Sequence, residues 1–202
     1  PAQPTPMDLM FQRLKEALIL LSMEETDQAL ETIGFVFDVE SELTEESFRE
    51  LAEMGLVLLD SGMETHNARE LAQELTDLPL VVVNTHGHGD HIYGNVYFEE
   101  AWLHPADFAL YDQFFGYAKD IMEQNNLKPC PVKALEIGQI FDLGGVQLEV
   151  VDLSGHTAGS IGLLDKDGRI IYTGDGLNTH LWMQLDHSLP MATMLETFRA
   201  LK

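Results

Sequence analysis

Three imidazoles and a carboxylate fall within six residues, His86-Gly87-His88-Gly89-Asp90-His91, in a chain of 202 residues that holds eight histidines. Residues two apart in an extended or loop segment project to the same side, so His86 and His88 can approach one ion together. Glycines at 87 and 89 let the backbone curl close to the ions without side chains crowding them. Asp90 and His91 then project elsewhere, which suits a second ion nearby. Two ions that share one water lower its pKa towards neutrality and make hydroxide available as a nucleophile. The cluster reads as a metal site.

Its position in the chain supports that reading. It closes an unbroken, β-branched apolar run, Leu80-Val81-Val82-Val83, as expected of a buried strand that delivers a rigid site at its C-terminal end. Two further apolar runs end in potential ligands. Leu148 to Leu153 leads into Gly155-His156-Thr157-Ala158-Gly159-Ser160, and Arg169-Ile170-Ile171 leads into Tyr172-Thr173-Gly174-Asp175. His156 and Asp175 therefore share the strand-end placement of the first loop. Neutral imidazoles and carboxylates suit Zn²⁺, one or two ions per chain, with Fe and Mn allowed.

The remaining elements follow from hydrophobic period and capping signals. Residues 1 to 55 read as mainly helical: an amphipathic helix from Asp8 to Ser22, a second from Glu24 to Ile33, a strand from Gly34 to Val39, and a helix from Thr44 to Gly55. Leu56 to Asp60 is a strand. Asn67 and Glu70 form a capping box for a helix with Ala68, Leu71, Ala72 and Leu75 on one stripe. A short strand at Trp102 to His104 precedes an aromatic-rich helix from Pro105 to about Asn125, read as core packing and a dimer face in preference to a substrate lid. Strands follow at Val132 to Ile137, Gln139 to Leu143 and Val146 to Leu153, the last two joined by a Gly144-Gly145 turn. A hairpin at Ile161 to Leu164 and Arg169 to Thr173 turns around Asp165 to Gly168, and Pro190 to Lys202 is a helix.

At these residues the chain resembles the metallo-β-lactamase fold superfamily of hydrolases. The likeness rests on His86-x-His88-x-Asp90-His91, the Gly155 to Ser160 loop and Tyr172-Thr173-Gly174-Asp175, and covers about Leu56 to Lys202. It implies an α/β fold, a four-layer αββα sandwich in a single domain over 1–202, with 1–55 an atypical helical segment and departures at the N-terminal strands and the C-terminal end. It further implies that His86, His88 and His156 hold one metal, that Asp90 and His91 hold a second, and that Asp175 bridges them. Asp90 doubles as the catalytic group that orients the hydroxide and helps protonate the leaving group. Leu59-Asp60-Ser61-Gly62 resembles the family's turn beneath the metal loop, where Asp60 supports ligands without being one. The family supplies one more histidine beyond a C-terminal helix. Here the chain stops first, and His180, His187, further residues of a longer chain, or a neighbouring chain are the open sources. Shortage of strands in the first sheet would leave an edge that favours a homodimer.

The activity expected is a metal-dependent hydrolase, glyoxalase II-like, in which metal-bound hydroxide attacks an ester, thioester, lactone or phosphodiester. Asp175 argues against a true β-lactamase, since those place cysteine or serine there. The competing expectation is a non-catalytic metal-binding or assembly module of the same fold. With 34 acidic against 11 basic residues the formal net charge is −23, which disfavours nucleic acid and anionic membrane as partners and leaves a small-molecule substrate. The lone cysteine, Cys130, excludes an intramolecular disulfide and is read as packed. No basic, apolar leader is visible at the start, so a cytoplasmic protein is expected.

Overall fold

The computed structural model describes residues 56–65, 67–75, 78–143, 146–179 and 181–201. The expected helices and strand of the first 55 residues, the Gly144-Gly145 turn, His66 and His180 lie outside the described residues.

Among the described residues, two four-stranded sheets make up the β-structure. The first is parallel, in the order β1 (Leu56–Leu59), β2 (Leu80–Val83), β3 (Ala101–Leu103), β4 (Val132–Ala134). The second is antiparallel, in the order β5 (Ile140–Asp142), β6 (Gln147–Asp152), β7 (Ile161–Asp165), β8 (Ile170–Tyr172). Helix α1 (Ala68–Leu75) connects β1 to β2, and a short turn of helix, α2 (Gly89–Ile92), follows β2. Helices α3 (Phe108–Tyr117) and α4 (Lys119–Gln124) connect β3 to β4, and α5 (Met191–Ala200) comes last.

Strand alternation explains the continuous apolar runs. Val57, Leu59 and Val83 face the second sheet and pack with Leu148, Val150, Ile161 and Leu163 of its inner face, with Leu135 buried among them. Leu58, Val82 and Ala101 point the other way, with Ala68 of α1 packed against them. Leu103 clusters with Tyr111 and Phe115 of α3, Met122 of α4 and Ala118 between them on that same outer face. A sheet buried on both faces needs apolar residues at both parities, which is why β1 and β2 show no polar alternation.

The first bond of the expected box at the start of α1 forms, Asn67 Oδ1 accepting from the Glu70 amide at 3.1 Å, while the Glu70 carboxylate accepts from the Asn67 side-chain Nδ2 at 3.2 Å. The expected single helix over 105–125 is instead a short 3₁₀ turn (Pro105–Asp107) followed by α3 and α4, broken at Ala118, whose ψ of 3° leaves the helical range. Gly116, a weak helix former, stands two residues before the break. Among the described residues no helix is long and apolar enough to cross a membrane.

Truncation in the inter-sheet layer should be expensive. Leu163→Ala, at 1% exposure, is expected to lower unfolding free energy by about 2–5 kcal/mol, whereas Ile140→Ala, 54% exposed, should stay within about 0.5 kcal/mol. Urea unfolding of the two variants measures both.

Candidate metal centre

The expected site residues lie in segments that follow strands: His86, His88, Asp90 and His91 after β2, His156 after β6 and Asp175 after β8. The loop after β2 is pinned before it reaches any ligand. Asn84 Nδ2 donates to the His91 carbonyl at 3.1 Å, the Ser61 amide donates to the same oxygen at 2.9 Å, and Asn95 Nδ2 donates to Asn84 Oδ1 at 2.8 Å. Asn84 and Asn95 are fully buried, so these bonds are made away from competing water. The glycines of the loop leave room for their neighbours: a Cβ at Gly87 would crowd the Asp107 carbonyl and Leu110, and one at Gly89 would strike the Tyr93 ring at 2.5 Å.

His88 Nδ1 stands 2.9 Å from His86 Nε2 and 2.9 Å from His156 Nε2. What the far side of each ring meets decides the chemistry. The Thr85 hydroxyl donates to Asp60 Oδ2 at 2.8 Å, so it turns a lone pair to His86 Nδ1, 3.0 Å away. The Trp182 carbonyl can only accept, and it lies 2.7 Å from His156 Nδ1. Both rings are thereby held with the proton on Nδ1 and an unprotonated Nε2 aimed at His88 Nδ1. One ring nitrogen carries at most one hydrogen for these two lone pairs. A cation is what such a trio fits. Burial and the neighbouring histidines keep His86 neutral, its pKa well below the usual value, and bring His88 down to about 3.

His91 is different in kind. Its Nδ1 lies 2.8 Å from Asp60 Oδ2, and its Nε2 faces Asp90 Oδ2 at 3.7 Å and Asp175 Oδ2 at 3.9 Å. Burial pulls this imidazole down, but the Asp60 carboxylate, with Asp90 and Asp175 behind it, outweighs burial and pushes the pKa up to about 9. Asp175 Oδ2 is also 3.6 Å from His156 Nε2, which puts this carboxylate between the trio and His91.

Among the described residues two groups could hold a metal ion, His86 with His88 and His156, and His86 with His91 and Asp175. Asp90, with its side chain 66% exposed, borders the second group without joining it. His187 does not enter either group; its Nε2 meets His88 Nε2, on the far side of that ring from the trio. The site opens into a cleft of about 600 Å³ whose walls include Phe114, Trp182 and Leu185. Phe114 stands edge-on to His88, ring centroids 5.3 Å apart, so the aromatic helix contributes both core packing and one cleft wall. Cys130 is buried beneath β3, and burial pushes its thiol up to about 11, as suits a packed side chain.

A family model described as the metallo-beta-lactamase superfamily matches residues 50–200. The chain belongs to this superfamily. Acyl-coenzyme A thioesterase MBLAC2 from Homo sapiens is 32% identical over 124 residues, 53% of this chain and 44% of that protein. The chain thus matches less than half the length of that relative. The structure of TTHA1623 in a di-iron-bound form is 27% identical, with a TM-score of 0.55 over 72% of this chain and 74% of that one. A metallo-beta-lactamase from Pontibacter korlensis, 20% identical, shares the fold with a TM-score of 0.53 over 74% and 69% of the two chains. The superfamily fold carries metal ions, and the trio and its neighbour group stand where the strand ends of both sheets meet.

Three contributors to the site escaped the sequence reading: Thr85, the Trp182 carbonyl and the Asp107 carboxylate. Thr85 adjoins His86 and could have been suspected from that alone, whereas the other two reach the site from outside every metal motif.

The charge states make the two groups load differently with pH. An ion on His91 Nε2 must displace a proton, so below about pH 9 its affinity should fall about tenfold per pH unit, while His86 and His88 have no proton to lose. Calorimetry at pH 7.5 in buffers of different ionisation enthalpy should show close to one proton released with the second ion. His91→Asn should remove that release. Release-free binding of a second ion to the unaltered protein contradicts the assignment.

Proposed function

We propose that this chain is a metal-dependent hydrolase of acyl thioesters or esters whose acyl group is uncharged and apolar. The observation that carries the reading is the convergence of His86 Nε2, His88 Nδ1 and His156 Nε2, backed by His91 and Asp175, at the base of an aromatic-walled cleft. His86, His88 and His156 would hold one ion, and His91 and Asp175 a second, with Asp90 beside them and Asp175 within reach of both. Imidazole and carboxylate donors suit Zn²⁺ first, with iron next in view of the di-iron-bound relative. When bound, the ions supply Lewis acidity that acidifies water and polarises the acyl carbonyl.

The chain's own residues supply the rest. Trp182 is 61% exposed and its main chain is tethered to His156, so it presents a fixed aromatic face to the cleft. With Phe114 and Leu185 it forms a wall that an acyl chain can dry. Among the described residues no lysine or arginine lines the cleft, which disfavours phosphodiesters as substrates. Asp90 Oδ2, exposed and beside His91 Nε2, is placed to take a proton from the attacking water and return it to the departing thiolate or alkoxide. The thioesterase activity in the name of MBLAC2 supports the thioester over the lactone and phosphodiester readings.

Zinc-loaded protein is expected to hydrolyse octanoyl thioesters, with about two ions per chain and loss of turnover in His88→Ala. Trp182→Ala should raise KM for the octanoyl substrate roughly tenfold, the loss of about 1.4 kcal/mol of apolar contact, and leave the acetyl substrate nearly unchanged. Thiol release followed by a chromogenic disulfide reads both. Fully loaded protein that turns over neither thioesters nor esters refutes the proposal.

A further inference from the structure

Asp107 is buried to 1% exposure, and no step above uses it. It stands at the N-cap of α3, where an aspartate ordinarily accepts from the amides of its own helix. Its side chain makes no such bond. Asp107 Oδ2 instead accepts from the Gly87 amide at 2.8 Å and from the Thr157 hydroxyl at 2.7 Å, and Oδ1 accepts from the Gly159 amide at 2.7 Å. Gly87 lies between His86 and His88. Thr157 and Gly159 follow His156. One carboxylate therefore ties the loop leaving β2 of the first sheet to the loop leaving β6 of the second.

We propose that Asp107 is a positioning residue that sets the separation of the two halves of the His86, His88, His156 site. The proposal rests on reading that trio as a metal site. A buried carboxylate is tolerated when its oxygens are met by donors, and bonds to a charged acceptor are the short, directional kind. Here the three donors all belong to the ligand loops. The local sequence is shaped for this approach: a Cβ on Gly159 would sit 2.7 Å from Asp107 Cγ, and one on Gly87 would sit 3.1 Å from the Asp107 carbonyl. Thr157 is itself braced, its amide donating to Ser160 Oγ at 3.1 Å. Without the clamp the two loops would still be joined where the Ile161 amide donates to the Thr85 carbonyl at 2.9 Å, but the backbone at Gly87 and at Thr157 to Gly159 would lose its link across the site.

Asp107→Asn keeps the volume and replaces one acceptor oxygen with an amide nitrogen that must face a donor. Cobalt(II) uptake, followed by visible absorption and by competition with a chelator, is expected to show first-site affinity lowered roughly 10- to 100-fold and an altered ligand-field spectrum. Thr157→Val, which removes one of the three bonds and leaves the carboxylate, should lose a few-fold, and the double variant less than the product of the two. If Asp107→Asn proves unstable, Thr157→Val alone still decides, because a merely structural carboxylate would shift its unfolding midpoint and leave cobalt affinity and spectrum unmoved. Unchanged affinity and spectrum in folded variants overturns the proposal. Unaltered protein that takes up no cobalt overturns the metal reading beneath it.

Discussion

The constraint on which this structure depends is electrostatic: His86 and His156 are each pinned from behind so that their unprotonated nitrogens face each other across His88 Nδ1. Left without a cation, that arrangement brings lone pairs together. The fold keeps it by supplying acceptors at the outer nitrogens, Thr85 Oγ1 on one side and the Trp182 carbonyl on the other, and by removing water from all but the cleft side. The two buried sheets give the strand ends the stiffness this requires, since a loop that could relax would rotate the rings apart. Residues far from the chemistry, such as Asn84 and Asn95, are spent on closing the His86 to His91 loop.

The apolar runs and the candidate site residues that end them stood out in the chain because both are local patterns. β-Branched runs followed by histidine, aspartate and glycine read as strands that end in a site, and the structure places His86, His88, His91, His156 and Asp175 together. Asp60 read as a supporting group beneath the loop, and it bonds Thr85 and His91. Asp107 was not legible, because an aspartate two residues after Pro105 at a helix start is the ordinary pattern of a cap. Its true partners lie 20 and about 50 residues away in sequence. The Trp182 carbonyl left no trace either, since a backbone oxygen is present at every position. Gly87 and Gly89, expected to leave room for ions, also leave room for Asp107 and Tyr93.

The segment after Asp175 is a second case of function carried without a motif. Over 182–189 it covers the His156 loop through three bonds: the Trp182 carbonyl on His156 Nδ1, Ser188 Oγ donating to the His156 carbonyl at 3.0 Å, and the Leu189 amide donating to the Gly155 carbonyl at 2.8 Å. The same stretch lends Trp182, Leu185 and His187 to the cleft. Geometry at the ion site and the apolar wall are therefore fixed by one piece of chain. A change in this segment that altered the wall would also disturb the histidine behind it, which is a reason for the aromatic side chain to be exposed while its backbone is held.

Asp60 extends the same logic to both groups at once. Its Oδ2 accepts from Thr85, which holds His86, and meets His91 Nδ1, so one carboxylate sets the outer nitrogen of a ring in each group. The residue adopts a φ of 57°, a conformation uncommon outside glycine, with its amide donating to the Val83 carbonyl at 2.9 Å. That strained turn lifts the carboxylate from the end of β1 to beneath the loop that follows β2. An ion held by His91 would take the place of a proton that Asp60 stabilises, next to the Thr85 hydroxyl that holds His86. The two groups thus share Asp60 behind their rings as well as His86 itself, with Asp175 reaching towards His156.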